Sequence, residues 1–470
     1  MKKQISILLL ALCVSLTFSY AQKPPKYIFF MIGDGMGFGQ IHATELYAAA
    51  LQKQTGIVPL VFSKFPYASF ATSNSLSHGV TDSGAGGTAL AVGYKTKNGV
   101  IGMDSAGVKS YKSLAYFAKE KGLKVGITTS VSIDHATPAS FYANQPNRDM
   151  YYEIGQDIID SDFDFFAGSG FLKPHTNAKK QEVPSLLPQL EKAGYKLLYG
   201  LKDYQKVKNR TSKMILMNNQ GADNSSIKYA IDQQGDDLTL AEITDAAIET
   251  LSQGDNGFFL MVEGGKIDWA SHSNDGATVV KEVLSFNESV KKAYDFYLKH
   301  PEETLIVVTA DHETGGLVVG NGSSTLRVEN LLDQKKSQGE VSTLLNDFRN
   351  KKPNASWEEV KEFLGQHLGL WKEIEVSKTD EQEIHVAFEN SFINHQNETA
   401  KSLYATNNKI AALAIAALNK ASSIGWTSGG HSAGYIPIYA IGVGAEKFNH
   451  KMDNVDIPRT VSKIAGWDLQ

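Results

Sequence analysis

The chain has 470 residues, 42% of them hydrophobic and 21% charged, a globular composition with enough apolar residues for a sizeable core in one large domain or two smaller ones. Lys and Arg total 46 against 51 Asp and Glu, and a formal charge of -5 gives no electrostatic basis for binding nucleic acid or an anionic membrane surface. No fixed-period repeat and no low-complexity tract interrupts the sequence.

Residues 1–21 stand apart. Lys2 and Lys3 precede the apolar run 5–18, and Ser19-Tyr20-Ala21 forms a small-x-small cleavage site before Gln22. This predicts a secretory signal peptide rather than a membrane anchor, because the run is short for a span. The only cysteine, Cys13, lies inside that run, where Leu12 before it spoils a lipoprotein-type cleavage site. The mature chain 22–470 then has neither a thiol nor a disulfide and no membrane span. Export to the periplasm or the medium is compatible with that, because a chain of this size is stable through its core alone.

Further along, "KYIFFMIGDGMG" runs from a strand-like stretch at 27–32 into Asp34. "HGVTDSGAGGTALAVGYKT" sets Ser83 between Asp82 and a run of Gly and Ala where a helix begins. A serine there faces free backbone N–H groups and the positive end of the helix dipole, a setting suited to an anion. Asp82 or Ser83 as a plain N-cap is the competing explanation, but a cap does not require four small residues in its first turn. Gly84, Ala85, Gly86 and Gly87 are expected to keep side chains out of an anion's approach. A helical segment follows at 111–119. "LKVGITTSVSIDHATP" then runs from a strand into Asp134, His135 and Thr137.

A second helical segment at 240–251 precedes "GFFLMVEGGKIDWASH", which leads into Glu263, Asp268 and His272, and "TLIVVTADHETGG" leads into Asp311 and His312. Continuous β-rich runs spaced by helices predict an α/β fold with a mostly parallel central sheet flanked by helices on both faces. In such sheets ligands bind beyond the carboxyl ends of the strands, which is where all four polar clusters fall. A lone strand-end Asp is more often a helix cap than a ligand; four clusters in register are harder to explain that way. Asp, Glu and His are oxygen and imidazole ligands for divalent ions such as zinc and magnesium, with no cysteine competing. Asp268 and His272 are four residues apart, so a helix would present both to one ion.

The segment 324–400 is charged, contains Trp357 and Trp371, and carries a helix signal after the cap-like Ser356 in "NASWEEVKEFLGQHL". It reads as an insertion that could cover the site or meet a second subunit in a homodimer. In "GWTSGGHSAGYIPIYAIGVG", His431 follows a Gly pair and precedes another strand-like run. In isolation it would be a turn histidine; beside four acidic and histidine clusters it reads as a ligand.

Taken together, "GDG", "TDSGAGGTA", "HATP", "MVEGGKID", "TADHETGG" and "GGHSAG" resemble, in order and over nearly the whole mature chain, the metal-dependent alkaline phosphatases. That resemblance implies Ser83 as nucleophile at a centre of two zinc ions and one magnesium ion. It implies Asp268, His272 and His431 as ligands of one zinc and Asp34, Asp311 and His312 as ligands of the other. Thr137 and Glu263, with Asp34 as bridge, would hold the magnesium. Arg148, in "NQPNRDMY", stands where the family places a phosphate-binding arginine, and Asp82 would orient it. His135 and Trp269 occupy places where some bacterial members have Asp and Lys and vertebrate members two His; the pair resembles that of certain marine and cold-adapted bacterial enzymes. For Trp269 ordinary packing is the alternative.

The implied activity is hydrolysis of small-molecule phosphate monoesters through a phosphoserine, with no nucleic-acid-binding domain. A phosphodiesterase or sulfatase of the same superfamily would share the two-metal core but ordinarily lack Thr137, Glu263 and the Arg148 position. A sugar-phosphate mutase fits poorly with export. A non-enzymatic secreted metal- or phosphate-binding protein would need no nucleophile within an intact "TDSGAGGTA".

Overall fold

The computed structural model describes residues 23–208, 213–320, 322 and 324–469. The expected signal peptide over 1–21, with Cys13, lies outside the described residues. At the centre is a ten-stranded sheet. Its strands are β1 (Tyr27–Ile32), β2 (Tyr67–Thr72), β3 (Lys124–Thr129), β4 (Phe165–Ala167), β5 (Lys196–Tyr199), β6 (Met214–Met217), β7 (Phe258–Glu263), β8 (Thr304–Thr309), β9 (Ile436–Gly442) and β10 (Met452–Asp453). The spatial order is β10-β2-β9-β8-β1-β7-β3-β4-β6-β5. Only β9 runs against its neighbours, being antiparallel to both β8 and β2.

β1, β7 and β8 are buried along their whole length. A strand with no exposed alternate position needs cover on both faces, which is why these segments read as unbroken apolar runs rather than as alternation. Phe29, Phe30, Phe259, Leu260, Ile306 and Val307 from these strands anchor the main apolar core. Register then sets the site. Ile32 is level with Glu263 and with Thr309, and Thr129 is level with Glu263, so the four central strands end at one line. Residues just past that line emerge together at one edge.

Helices flank the sheet: α1 (Phe38–Leu51), α2 (Ser83–Val92), α3 (Leu240–Leu251), α4 (Lys266–His272) and α5 (Gly276–Tyr297) are those nearest the argument. α3 begins where expected because Thr239 and Glu242 form a reciprocal capping box. The segment expected as a helix at 111–119 instead starts at Leu114 and runs to Glu120. Ser113 accepts a hydrogen bond from the Tyr116 N–H and so caps it, while the Tyr111 N–H is used by the Gly102 carbonyl at 2.8 Å and its ring stacks on Tyr94.

After β8 the chain builds a helical unit from α6 (Gln338–Lys351), α7 (Trp357–Leu368), α8 (Lys378–Phe388) and α9 (Lys409–Ala421). Ser356 caps α7 in a capping box with Glu359. The unit has its own apolar cluster, including Val341, Leu345, Leu364, Ile384, Phe388 and Leu418, separate from the core under the sheet. It is fastened to the sheet domain by polar contacts: Asn419 on α9 accepts from the Gly276 N–H at 3.1 Å and donates to the Asn274 carbonyl at 2.6 Å. Between α8 and α9 a two-stranded hairpin pairs Thr399–Lys401 with Thr406–Asn408.

Candidate active site

Ser83 is the first residue of α2 and is fully buried. Asp82 is the N-cap, accepting from the Ala85 N–H at 3.0 Å, from the Gly99 N–H at 3.0 Å and from Arg148 Nη1 at 2.9 Å. Burial pushes the Asp82 carboxyl up, but Arg148 and those N–H groups outweigh it and hold it below the ordinary value. Asp82 is thus the cap, and Ser83 stands one residue on, with its hydroxyl at the helix N-terminus. For two of the small residues the structure gives a packing reason. A Cβ on Gly86 would lie 3.0 Å from the Asp311 carbonyl oxygen, and one on Gly87 2.9 Å from Ser140 Oγ and 3.2 Å from Thr137 Cα. Their smallness lets α2 press against the segments that carry Asp311 and Thr137.

Three groups of acidic and histidine side chains converge in front of Ser83. Asp268, His272 and His431 form one, Asp34, Asp311 and His312 a second, and Asp34, His135 and Glu263 a third, with the ligand atoms of each within 4.8 Å of one another. Helix α4 presents Asp268 and His272 on one side, as their spacing predicts. His431 reaches them because β9 is antiparallel: its amino end, not its carboxyl end, lies at the site edge of the sheet. There His431–Ser432 pairs with Glu313–Thr314, the pair that follows His312.

The imidazoles are oriented from behind. His272 Nδ1 lies 2.7 Å from the Gly429 carbonyl oxygen and His431 Nδ1 2.9 Å from that of Thr81. A carbonyl only accepts, so both Nδ1 atoms carry the proton and both Nε2 lone pairs point inward. The two Nε2 atoms are 3.1 Å apart and face Asp268 Oδ1 at 3.3 and 3.6 Å. His312 is held by Thr314, whose hydroxyl is 3.2 Å from its Nδ1 and donates to Asp268 Oδ1 at 2.5 Å. His312 Nε2 then faces Asp311 Oδ2 at 3.2 Å, Asp34 Oδ1 at 3.5 Å and Ser83 Oγ at 3.2 Å.

This donor set fits cations. Asp34 Oδ1, Glu263 Oε1, Asp268 Oδ2, Asp311 Oδ2 and His135 Nδ1 are buried without a hydrogen-bond partner. Inward lone pairs of this kind are costly unless positive charge satisfies them. Burial, followed by the neighbouring carboxylates, raises Asp34 well above the ordinary range and Asp311 to about 8, and burial raises Glu263 to about 7. Burial and then Arg148 push His135 down to about 3, so its imidazole is neutral and available as a donor. Thr137 Oγ1 donates to Asp34 Oδ2 at 3.2 Å, which completes a third cluster of mixed oxygen and nitrogen donors.

The structure thus brings together Asp34, Asp82, Ser83, Thr137, Arg148, Glu263, Asp268, His272, Asp311, His312 and His431, with His135 among the convergent donors. Asp134 turns away, accepting from the Leu172 N–H at 2.9 Å. Trp269 stacks on Tyr404, with ring centroids 4.4 Å apart at 14°. Three contributors went unassigned in the sequence. Thr314 links His312 to Asp268, and Glu313 ties the ladder to Gln40 and Ser432; both stand in "DHETGG", next to the candidate ligand His312, which is the available signal. Tyr404, in "AKSLYATNN", carries none.

The alkaline phosphatase family profile matches residues 25–467. Alkaline phosphatase 4 of Bacillus subtilis is 32% identical over 453 residues, covering 93% of this chain and 88% of its own. Alkaline phosphatase 3 of the same organism is 30% identical, covering 95% and 90%. Among solved structures, a cold-active alkaline phosphatase from the psychrophile Shewanella sp. superposes with a TM-score of 0.78 at 26% identity, over 93% of this chain and 99% of that one. Alkaline phosphatase from the Antarctic bacterium TAB5 gives 0.64 at 26% identity, over 95% and 99%, and a variant of it with histidine replaced by aspartate is described with Mg bound in the M3 site. A profile that runs from before β1 to past β10, over a chain whose strand ends gather a buried serine with acidic and histidine side chains that could hold metal ions, places this protein in the alkaline phosphatase family, as a phosphatase hydrolase.

Proposed function

We propose that the chain hydrolyses phosphate monoesters to an alcohol and inorganic phosphate through a phosphoserine at Ser83, in a site for two zinc ions and one magnesium ion. The observation that carries the reading is Ser83 Oγ at the N-terminus of α2, 3.2 Å from His312 Nε2 among inward-facing acidic and histidine donors. Asp268, His272 and His431 would hold one zinc, Asp34, Asp311 and His312 the other, and Asp34, Glu263 and Thr137 the magnesium. When bound, the ions supply Lewis-acid stabilisation of phosphoryl and alcohol oxygens and favour deprotonation of the hydroxyl.

The chain's own groups do the rest. Asp82 caps α2 and fixes the guanidinium of Arg148, which retains N–H groups for two non-bridging oxygens of the substrate. Free N–H groups of the first turn of α2 favour the same anion. Ser83 gives its hydroxyl proton to solvent and its Oγ attacks phosphorus in line; the Oγ–P bond forms as the ester P–O bond breaks, and the departing alkoxide takes a proton from water to leave as the alcohol. A water then attacks the phosphoserine from the vacated side and Ser83 recovers its proton. Two inversions give net retention at phosphorus.

His135 adds a nitrogen donor to the third cluster, where magnesium prefers oxygen; the TAB5 variant with aspartate in place of histidine and Mg in its M3 site supports that view. We read residues 22–470 as one catalytic domain with 324–400 inserted, exported after cleavage at 21 to the periplasm or medium and able to form a homodimer. Among the described residues no helix is long and apolar enough to cross a membrane. The test is turnover of a chromogenic aryl phosphate: chelation abolishes it and zinc plus magnesium restore it. Full activity in a verified metal-free preparation overturns the reading.

A further inference from the structure

The geometry points to Tyr404 as a specificity residue: its ring forms, with Trp269, an aromatic wall beside the leaving-group side of the site, favouring monoesters whose alcohol carries a ring. This rests on the monoesterase reading above and deepens it by naming a substrate class.

Tyr404 lies at the tip of the hairpin between α8 and α9, just past the 324–400 segment. The tip is built, not loose. The Ser402 N–H donates to the Ala405 carbonyl at 2.8 Å, and the Ala405 N–H donates to Ser402 Oγ at 3.2 Å. Ser402 Oγ lies 3.2 Å from Ser273 Oγ, which follows directly on α4 and its ligand His272. The hairpin is therefore pinned to the helix that presents the Asp268, His272 and His431 group.

From there the Tyr404 ring meets three others. It stacks on Trp269, stands edge-on to His272 at 5.5 Å and 69°, and tilts against His135 at 5.9 Å. Trp269 is held in turn by Lys266, whose ammonium lies 5.1 Å over its ring. Both Tyr404 and Trp269 remain partly exposed, while the polar groups around them are buried.

Direction of reaction gives this wall its meaning. Ser83 Oγ belongs with His312, so in-line attack puts the departing oxygen on the far side of phosphorus, toward the other cluster. Tyr404 touches His272 of that cluster. The organic part of the substrate leaves past an aromatic surface, and a ring there can stack or meet it edge-on. Such a contact changes affinity by about three- to tenfold.

The test compares benzyl phosphate with ethyl phosphate, two alkyl monoesters that differ in carrying a ring. Tyr404→Ala should lower kcat/KM for benzyl phosphate about three- to tenfold more than for ethyl phosphate, and Tyr404→Phe should keep the wild-type ratio within about twofold. Calorimetry with benzylphosphonate and ethylphosphonate, which are not turned over, should show the same differential loss in affinity. Metal content of each variant is measured alongside. Equal losses on both ligands, or none on the benzyl compounds, would overturn the assignment and leave Tyr404 a packing residue. If the metal-loaded wild type hydrolyses neither ester, the monoesterase reading falls instead, and the phosphonate comparison still decides the wall.

Discussion

Replacing Arg148 by alanine separates what this residue does for substrate from what it does for the fold. Its Nη1 donates to Asp82 at 2.9 Å, leaving the remainder of the fork for a phosphate. Asp82 keeps two backbone donors after the change, from Ala85 and Gly99, so α2 stays capped and Ser83 stays at its first position. The structural loss is one mostly buried ion pair, with side chains 17% and 19% exposed, limited by the two backbone donors that stay on Asp82. The functional loss is read separately: a charge-assisted contact to the phosphoryl group contributes about 1.5–3 kcal/mol. That corresponds to a roughly ten- to hundredfold drop in kcat/KM for an aryl phosphate. A diester carries less charge on its non-bridging oxygens, so its hydrolysis, if detectable, should fall by less. The assay is kcat/KM for an aryl phosphate and its methyl diester, with thermal unfolding as the control for fold. Equal losses on both substrates would show that Arg148 does not read phosphate charge, and a large fall in unfolding temperature would show that the cap depends on it.

Ser83→Ala should lose most of the rate yet keep its metals, since the ions have other ligands; trapping labelled phosphate at low pH should label Ser83 in the wild type, and label on Thr81 or Thr88 would reassign the nucleophile. His135→Asp should strengthen the response to magnesium while both zinc sites stay filled, measured by metal analysis and magnesium titration; an unchanged response would make His135 packing alone. Gly86→Ala should destabilise the fold by about 1–3 kcal/mol and weaken metal retention, because the added methyl meets the Asp311 carbonyl, checked by denaturant unfolding and dialysis against chelator. Metal binding should release protons at pH 6–7, since burial holds Asp311 at about 8 and Glu263 at about 7 in the metal-free protein; both are then protonated below those values, so affinity should rise with pH up to about 8, and calorimetry in buffers of different ionisation enthalpy should detect the release.

Local signals in the sequence were read well because they act locally. Tyr27–Ile32 and Leu240–Leu251 form where the sequence pattern predicts a strand and a helix, the helix being started by a Thr239 cap, and Ser356 caps α7 through its own Glu359. The helix after Ser113 was placed too early because an apolar stretch cannot show that the Tyr111 N–H is taken by Gly102, a tertiary contact. The site followed from a rule about strand ends, and the level register of Ile32, Thr129, Glu263 and Thr309 is what makes that rule work here. His431 needed more: its strand enters the sheet in reverse, which no residue near it announces. Tyr404 was invisible for a related reason. It reaches Trp269 across 135 positions through the tip of a hairpin, and its own neighbours in the chain carry no catalytic pattern.

The electrostatics of the strand edge bind these parts into one device. Asp34, Glu263, Asp268 and Asp311 are fully buried side by side. Two like charges about 4 Å apart repel by about 4 kcal/mol even at an effective dielectric near 20, so four ionised carboxylates cannot share this space without compensation. Without cations, protonation relieves the strain, as the raised Asp34, Asp311 and Glu263 indicate; Asp268 alone stays low, because, against its burial, His272, whose own value Asp268 raises, takes a second proton on Nε2 and donates it to this carboxylate. Protonated carboxyls are poor ligands and leave Ser83 beside a neutral His312. A phosphate dianion arriving there would find Arg148 and the end of α2 as its main attractions, against a cluster whose charge is negative or at best neutral. Cations reverse both conditions at once: they keep the carboxylates ionised as ligands and turn the space in front of Ser83 positive. Because the same ions that make the buried acids tolerable also make the site attractive to phosphate, the stability of the strand edge and its capacity to bind substrate rise and fall together.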